Sequence, residues 1–414
     1  MIMTEFLLAA GVAADAEAGD WGGVLWRGGA LVVGIWLLWA AISSSVGLML
    51  VPRPTYTKLS LAVNAVAKRV FQAVARRSAD YFALDRLLAA QGPATVLFLL
   101  GLYLTIFVIA FALIFYGIEG ISFLEAFARS GSGMTTLGFD VVQSPLPIFV
   151  MFLAAFMGST IIAVFIGFLL TLYAAYTARE AGVSELSLLT GEPAWGPEMV
   201  VRTKRTGEAP DRALIGKWIS WMCAMRVNQY VYPLLNHFRS PMPERHWVTS
   251  LLAILDAVAI RMSATDLPSD SSFVRFLAEG ADTMHLLRRS EMARRGSKGD
   301  EEAVTAWRYE REILSSDAAT ATNPCVTREE WDEAMKFLAE NGIPLKADRD
   351  EAWRDFSRLR SQYAAPACYL AGALFAVPAP WSGPRPTMKR FTVRTMWPQL
   401  AREAGFGKSR PRLS

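Results

Sequence analysis

Three long stretches without a charged side chain organise this chain. Gly28 to Val51, Pro93 to Ile118 and Pro147 to Tyr176 contain no Asp, Glu, Lys or Arg. Each exceeds the roughly 18 apolar residues that mark a spanning candidate, and at about 1.5 Å per residue each crosses roughly 30 Å of hydrocarbon as a helix. Three transmembrane helices are therefore predicted. After Glu180 the apolar positions recur at helical spacing among charges, which predicts helices over Arg212 to Phe238, Trp247 to Met262, Ser272 to Glu291, Glu301 to Ser315, Arg328 to Glu340 and Asp348 to Tyr363. Thr327, with Glu330 three positions on, reads as an N-cap; Asn341-Gly342 followed by Pro344 reads as a stop. Gly296 to Asp300 reads as a loop. Ala364 to Trp381 is also uncharged, but Pro366, Pro378 and Pro380 and its many alanines predict a buried core helix ending at Pro378.

Charge then orients the spans. Arg53, Lys58, Lys68, Arg69, Arg76, Arg77 and Arg86 lie between the first two, against Asp80 and Asp85, so this loop is expected in the cytoplasm. The N-terminal segment carries Glu5, Asp15, Glu17 and Asp20 and no basic residue before Arg27, and the segment between the second and third spans has Arg129 alone. Both are expected outside. The acidic start, with Glu5 where a basic n-region would stand, argues against a cleaved signal peptide. A fourth span at Ala364 to Trp381 would place the basic tail, with Lys389, Arg390, Arg394, Arg402, Lys408, Arg410 and Arg412, on the wrong side. The fold class expected is an all-α, multi-pass protein of the cell inner or plasma membrane, with a soluble α-helical cytoplasmic domain.

Five regions follow. Residues 1–51 hold the outward N-terminus and first span, 52–92 a basic linker, 93–176 the second and third spans with the segment between them, 177–384 the cytoplasmic helical domain, and 385–414 the basic tail. In the linker, Leu59, Val63, Val66, Val70 and Val74 fall on one helical face, with Lys68, Arg69, Arg76 and Arg77 elsewhere on the turn. Such a helix either lies at anionic headgroups or packs on the soluble domain. For the tail, nearness to a membrane makes phospholipid a simpler partner than nucleic acid. Cys223, Cys325 and Cys368 show no paired spacing and are expected as buried, reduced thiols.

Glu119 to Ser144 is too short to cross the membrane twice as helices and too apolar at its start for a plain loop. Ile121 to Arg129 suits a short helix entering from outside, and Gly131 to Phe139 an extended return: a re-entrant pore loop. Non-helical backbone at membrane depth persists only where it is buried in protein or lines water. The helix C-terminal end favours a cation, and carbonyls of Thr135, Thr136, Leu137 and Gly138 would replace its hydration shell. Gly138 permits backbone that a β-carbon would resist.

The order of outer helix, pore helix, Thr-Thr-Leu-Gly-Phe-Asp (Thr135 to Asp140) and inner helix resembles the pore domain of potassium channels, whose filter reads Thr-Val-Gly-Tyr-Gly followed by Asp. Phe168 to Glu180, Tyr232-Pro233, Phe238-Arg239-Ser240 and Pro378-Ala379-Pro380-Trp381 are similar to a bacterial group of potassium-channel-like membrane proteins with helical cytoplasmic tails. The resemblance implies a cation channel with a filter at Thr135, Thr136, Leu137, Gly138 and Phe139 and with Asp140 at the outer mouth. It implies no cofactor beyond a permeant monovalent cation such as potassium. One pore loop per chain implies a homotetramer. The second filter glycine is absent, which puts strict potassium selectivity in question. Gly158 and Gly167 stand where inner-helix hinges would fall, or serve packing.

An enzyme is not expected. His237, His246 and His285 lack metal-ligand spacing, no phosphate-binding glycine loop appears, and Asp256 reads as a buried, hydrogen-bonded or salt-bridged carboxylate. The rival reading is a non-conducting membrane scaffold. Its helical domain would bind an unidentified protein or anionic lipid, with Trp218, Trp221, Trp247, Trp307, Trp331 and Trp353 as possible anchors, though most of them are expected in the core.

Overall fold

The computed structural model describes residues 21–49, 81–139, 143–206, 212–294 and 326–383. The amphipathic stretch from Leu59 to Val74, the helix expected at Glu301 to Ser315, the loop at Gly296 to Asp300, Cys325, Trp307, Asp140 and the basic tail lie outside them. Among the described residues every regular element is a helix, apart from one isolated bridge between Thr265 and Leu345. Four helical stretches are long and apolar enough to cross a membrane: Gly22–Met49, Tyr81–Glu119, Pro145–Thr190 and Trp247–Ala264. The first three contain the expected spans. The fourth was expected as a helix of the soluble domain, and it differs from the others in burial: 94% of its apolar window lies inside the protein, against 22, 39 and 28%.

The chain forms two compact units. The first contains α1 (Trp21–Met49), α3 (Gln91–Glu119) from Pro93 onward, α4 (Phe123–Met134) and α5 (Pro145–Thr190) as far as Tyr173. Small residues let its helices approach. A β-carbon on Gly34 would stand 2.9 Å from the Ala110 carbonyl oxygen, and one on Gly117 would stand 2.8 Å from the Leu31 Cβ. The hydroxyls of Ser44 and Tyr103 bond at 2.9 Å. Leu31, Gly34, Ala41, Ser45 and Met49 form the buried stripe of α1, at steps of three, four and seven residues. Trp26, Trp36 and Trp39 on α1 and Phe149, Phe152, Phe156, Ile166 and Leu170 on α5 are exposed. So much exposed apolar surface is left for lipid or for other protein to cover.

The second unit contains α2 (Tyr81–Ala89), the first turn of α3, α5 from Ala174, α6 (Gly196–Thr206), α7 (Arg212–Val231), a 3-10 turn at Pro233–His237, α8 (Trp247–Ala264), α9 (Ser271–Arg294), α10 (Arg328–Glu340), α11 (Arg349–Ser361) and α12 (Ala364–Ala373). α5 runs past Tyr176 to Thr190, because the chain loses its apolar character there but meets no helix breaker before Gly191-Glu192-Pro193. α7 stops at Val231, short of the expected Phe238. Tyr232 precedes Pro233, whose ring disfavours helical backbone before it. α12 is a buried core helix as expected, but it ends five residues before Pro378, at Ala373.

α8 is the centre of this unit, with α6, α9, α11 and α12 against it. Its Asp256 is the buried salt-bridged carboxylate expected: Arg360 Nε donates to Oδ1 at 2.8 Å, and the Tyr363 hydroxyl donates to the same oxygen at 2.9 Å. Burial, and then the Asp256 charge, push the Tyr363 phenol well above its ordinary value, so it remains a donor. Trp331, Phe356 and Trp381 stack beside the network, with Trp331 to Phe356 at 4.3 Å between centroids. Trp218, Trp247 and Trp331 are core residues, as expected of most of the tryptophans. Cys223 is a free, half-buried thiol, but Cys368 is disulfide-bonded, which corrects the expectation of reduced thiols. Sequence spacing and compartment do not report which thiols folding brings together.

A second polar cluster joins α2, α3, α5 and α12 through the segment after Pro233. Arg239 donates to the Asp85 carboxylate from Nε at 2.7 Å and from Nη2, to the Tyr81 hydroxyl at 2.8 Å, and to the Leu374 and Phe375 carbonyls at 3.0 and 2.7 Å. Arg179 on α5 donates to the carbonyls of Leu235 at 3.0 Å and Phe238 at 2.7 Å. Arg239→Met would leave the Asp85 carboxylate buried without its cation, and is expected to lower the unfolding free energy by about 3–5 kcal/mol. Denaturant titration in detergent measures this; a loss below about 1 kcal/mol would remove Arg239 from the role of anchor.

Side chains cap two helices of this unit, one of them as expected. Thr327 and Glu330 form the expected capping box of α10, and Asp348 caps α11 by accepting from Asp350 and Glu351 N–H. Those donors, Glu351 first, hold the Asp348 carboxyl below its ordinary value of 3.8. A depressed acid stabilises the fold fully above that ordinary value and loses the contribution as pH falls through the lower folded one. The protection of the Asp350 and Glu351 amides, measured against their intrinsic exchange rates at each pH, should fall over that acid interval, and Asp348→Asn should remove this pH dependence.

Candidate pore segment

α4 lies between the two long helices α3 and α5 in sequence and packs on both. Its start is fixed by a capping box: the Ser122 Oγ accepts the Glu125 N–H at 3.3 Å, and the Glu125 carboxylate accepts the Ser122 N–H at 3.0 Å. Arg129 on α4 pairs with Glu119 at the end of α3. The turn between them uses Gly120 at φ +66°, where the Arg27 guanidinium fills the space a side chain would need. Ser130 Oγ donates to the Val108 carbonyl of α3 at 2.7 Å.

The far end of α4 seats on α5. A β-carbon on Gly133 would meet the Met151 sulfur at 2.5 Å, and one on Gly158 would stand 2.2 Å from the Met134 carbonyl oxygen. Gly158 is thus a packing position. Gly167 has no atom within 4 Å of such a β-carbon, and is exposed. These contacts carry α4 to Met134, five residues beyond the expected end at Arg129. Gly131 and Gly133 are poor helix formers, but close packing overrides that local weakness.

Helix and loop join in a Schellman turn. Thr136 N–H donates to the Gly133 carbonyl at 3.1 Å, and Leu137 N–H to the Ser132 carbonyl at 3.0 Å. Thr135 donates to the Gly131 carbonyl from its N–H at 3.0 Å and its hydroxyl at 2.6 Å. Residue Thr136 therefore sits at φ +56°, the left-handed position usually given to glycine, and Gly138 follows at φ +69°. For a β-branched residue this is a strained backbone, of the kind that gathers at functional sites.

Across a planar trans peptide, the carbonyl points opposite to the following N–H. With the N–H groups of Thr136 and Leu137 turned back onto α4, and that of Phe139 bonded to the Ser132 Oγ at 3.2 Å, the carbonyls of Thr135, Thr136 and Gly138 point away from it. Thr135 to Phe139 are all exposed, and among the described residues their carbonyls accept no hydrogen bond. The structure thus brings together Thr135, Thr136, Leu137, Gly138 and Phe139 at the carbonyl end of α4. Asp140 lies outside the described residues. The partner that sequence reasoning missed is Ser132, buried beneath the loop. A small hydroxyl residue three positions before the first loop residue was the only signal of it.

The histidines are dispersed. His237 Nδ1 lies 3.0 Å from Gln91 Nε2, His246 Nδ1 accepts the Val248 N–H at the start of α8, and His285 Nε2 lies 2.9 Å from the Gln362 carbonyl oxygen. Comparison of the chain with protein-family models, with curated proteins and with solved structures gives no match.

The two inner glycines should separate on substitution. Gly158→Ala drives a methyl into the Met134 carbonyl and is expected to cost about 1–3 kcal/mol, whereas Gly167→Ala should leave the thermal midpoint in detergent unchanged or slightly raised. Equal effects would remove the distinction between a packing and an open glycine.

Proposed function

We propose that this chain is one subunit of a cation-conducting membrane pore, with α1, α3 and α5 crossing the bilayer and α4 with residues 135–139 re-entering from the outer side. The observation that carries the reading is the loop at the end of α4: exposed carbonyls, unbonded among the described residues, on a strained backbone, at the partially negative end of a helix set between two long apolar ones. The charge rule places residues from Ala174 onward in the cytoplasm. That α8 belongs to that domain and is not a fourth span is supported by its burial within the second unit. A lipid-facing helix has no need of protein on every side.

Each chain supplies one loop, so a closed pore requires several copies, and four is the number that a potassium-channel-like arrangement uses. Leu137 and Phe139 favour assembly, since both are large, apolar and exposed in a single chain. The permeant species is a monovalent cation, with potassium the expected one. Anionic lipid is the expected partner of the basic linker and tail.

The test is flux through purified protein in liposomes, beside its mass in detergent by light scattering. A tetramer that passes potassium supports the reading. Gly138→Ala should keep the tetramer and cut the flux about tenfold, in line with the roughly 1–2 kcal/mol that a left-handed non-glycine residue costs. A tetramer that passes no cation at any pH or voltage would leave a non-conducting scaffold as the better reading, and a monomer would end the pore reading.

A further inference from the structure

Four arginines are buried among the described residues: Arg179, Arg239, Arg261 and Arg360. Three of them pair with a carboxylate, Arg179 with Glu180, Arg239 with Asp85 and Arg360 with Asp256. Arg261 pairs with none of the described carboxylates. Asp266 and Asp270 flank the loop that follows it, but Asp270 accepts the Ser272 N–H and pairs with Arg212, and neither reaches Arg261. A guanidinium keeps its proton, so burying one without an anion beside it is costly.

The Arg261 side chain is 7% exposed and fixed in place. Its Nε donates to the Pro268 carbonyl at 3.0 Å, and its guanidinium carbon stands 5.5 Å from the centre of the Phe273 ring. One of its five donors is thereby used, and the four N–H groups on Nη1 and Nη2 have no partner among the described residues. The guanidinium borders a cleft between α6, α8 and α9 that opens to solvent. Met199, Val200, Ala257, Val258 and Phe273 line that cleft with apolar surface, and Thr203 gives its hydroxyl proton to the Met199 carbonyl at 2.8 Å. The donors left to a ligand belong to Arg261. The cleft offers about 10 Å³, room for one water-sized group.

A planar guanidinium offers parallel N–H bonds that match the two oxygens of a planar carboxylate. One carboxylate also balances one arginine, whereas a phosphate brings more charge and more oxygens than these donors serve. Behind the carboxylate, the apolar walls suit an aliphatic tail, and the available room suits a single methyl at its end. We propose that this cleft binds a monocarboxylate with a short aliphatic tail, its oxygens on Nη1 and Nη2 of Arg261 and its methyl among the side chains of α6 and α8. The site lies within the second unit and stands independently of the pore reading.

The full chain in neutral detergent, titrated calorimetrically with sodium butyrate at constant ionic strength, should bind one equivalent with a Kd of about 1 mM. Inorganic phosphate and chloride should bind at least about tenfold more weakly. Arg261→Lys keeps the charge without the fork and should weaken butyrate about tenfold. The location is also read without a variant: a butyrate analogue carrying a diazirine, irradiated with the unaltered chain, should label Met199 or Val258, and excess butyrate should protect them. Phosphate binding as tight as butyrate would overturn the carboxylate assignment. Unchanged affinity in Arg261→Lys, labelling confined to residues outside the cleft, or no saturable binding up to about 50 mM would overturn the site.

Discussion

Arg239 has five N–H donors, and all five are engaged inside the protein. Its side chain ties α2 to the end of α12. Its guanidinium reaches α2 through Tyr81 and Asp85 and the end of α12 through two carbonyls, while its own carbonyl accepts the Tyr176 hydroxyl of α5 at 3.1 Å. One position earlier, Phe238 lies against Gly92 so closely that a β-carbon there would stand 2.8 Å from its ring. Arg179 completes the lock from the other direction. A buried ion pair is weak evidence of stability by itself, but one whose every donor is matched admits a single arrangement of the elements around it. Pro233 makes the arrangement possible, by ending α7 and freeing the segment that Arg239 anchors.

Three helix ends share one geometry and differ in what holds it. α10 closes with Gly342 at φ +73°, the residue type for which the left-handed backbone carries little penalty. α12 closes the same way with Phe375 at φ +51°, and there Arg239 accepts the task of holding the Leu374 and Phe375 carbonyls. α4 closes with Thr136, held by its own helix and by Ser132 beneath the loop. The two non-glycine closures therefore sit where other groups fix the backbone. One lies in the cluster around Arg239 and the other at the candidate pore.

Much of this was legible in the sequence. Absence of charge over 24 or more residues has few physical explanations, and the three stretches were found as helices with ends within a few residues, apart from the run of α5 to Thr190. The cap and stop of α10 were legible because Thr, Glu and Asn-Gly act locally, through bonds spanning a few residues, whereas Asp348 was expected inside α11 and instead caps it. Asp256 was legible as a carboxylate among Leu and Val, though its partners, 104 and 107 positions away, were not. The end of α4 was misjudged because the stretch from Gly131 was expected as an extended return, although Gly131 and Gly133 stand inside the helix. Their meaning lies in Met151 and Gly158, which the sequence alone does not place beside them. The Arg239 cluster was invisible for the same reason, since its donors reach residues more than a hundred positions away on either side.

The burial of α8 has a consequence for how the chain is made. Trp247–Ala264 is apolar enough to enter a bilayer, yet three of the helices that enclose it, α9, α11 and α12, follow it in the sequence. As the chain leaves the ribosome, α8 emerges with its Asp256 unpaired, and Arg360 follows only after about a hundred more residues at roughly 5–20 per second. For those seconds lipid and later protein compete for the same helix. The unpaired carboxylate, costly in hydrocarbon and satisfied in the fold by Arg360 and Tyr363, weights that competition toward waiting.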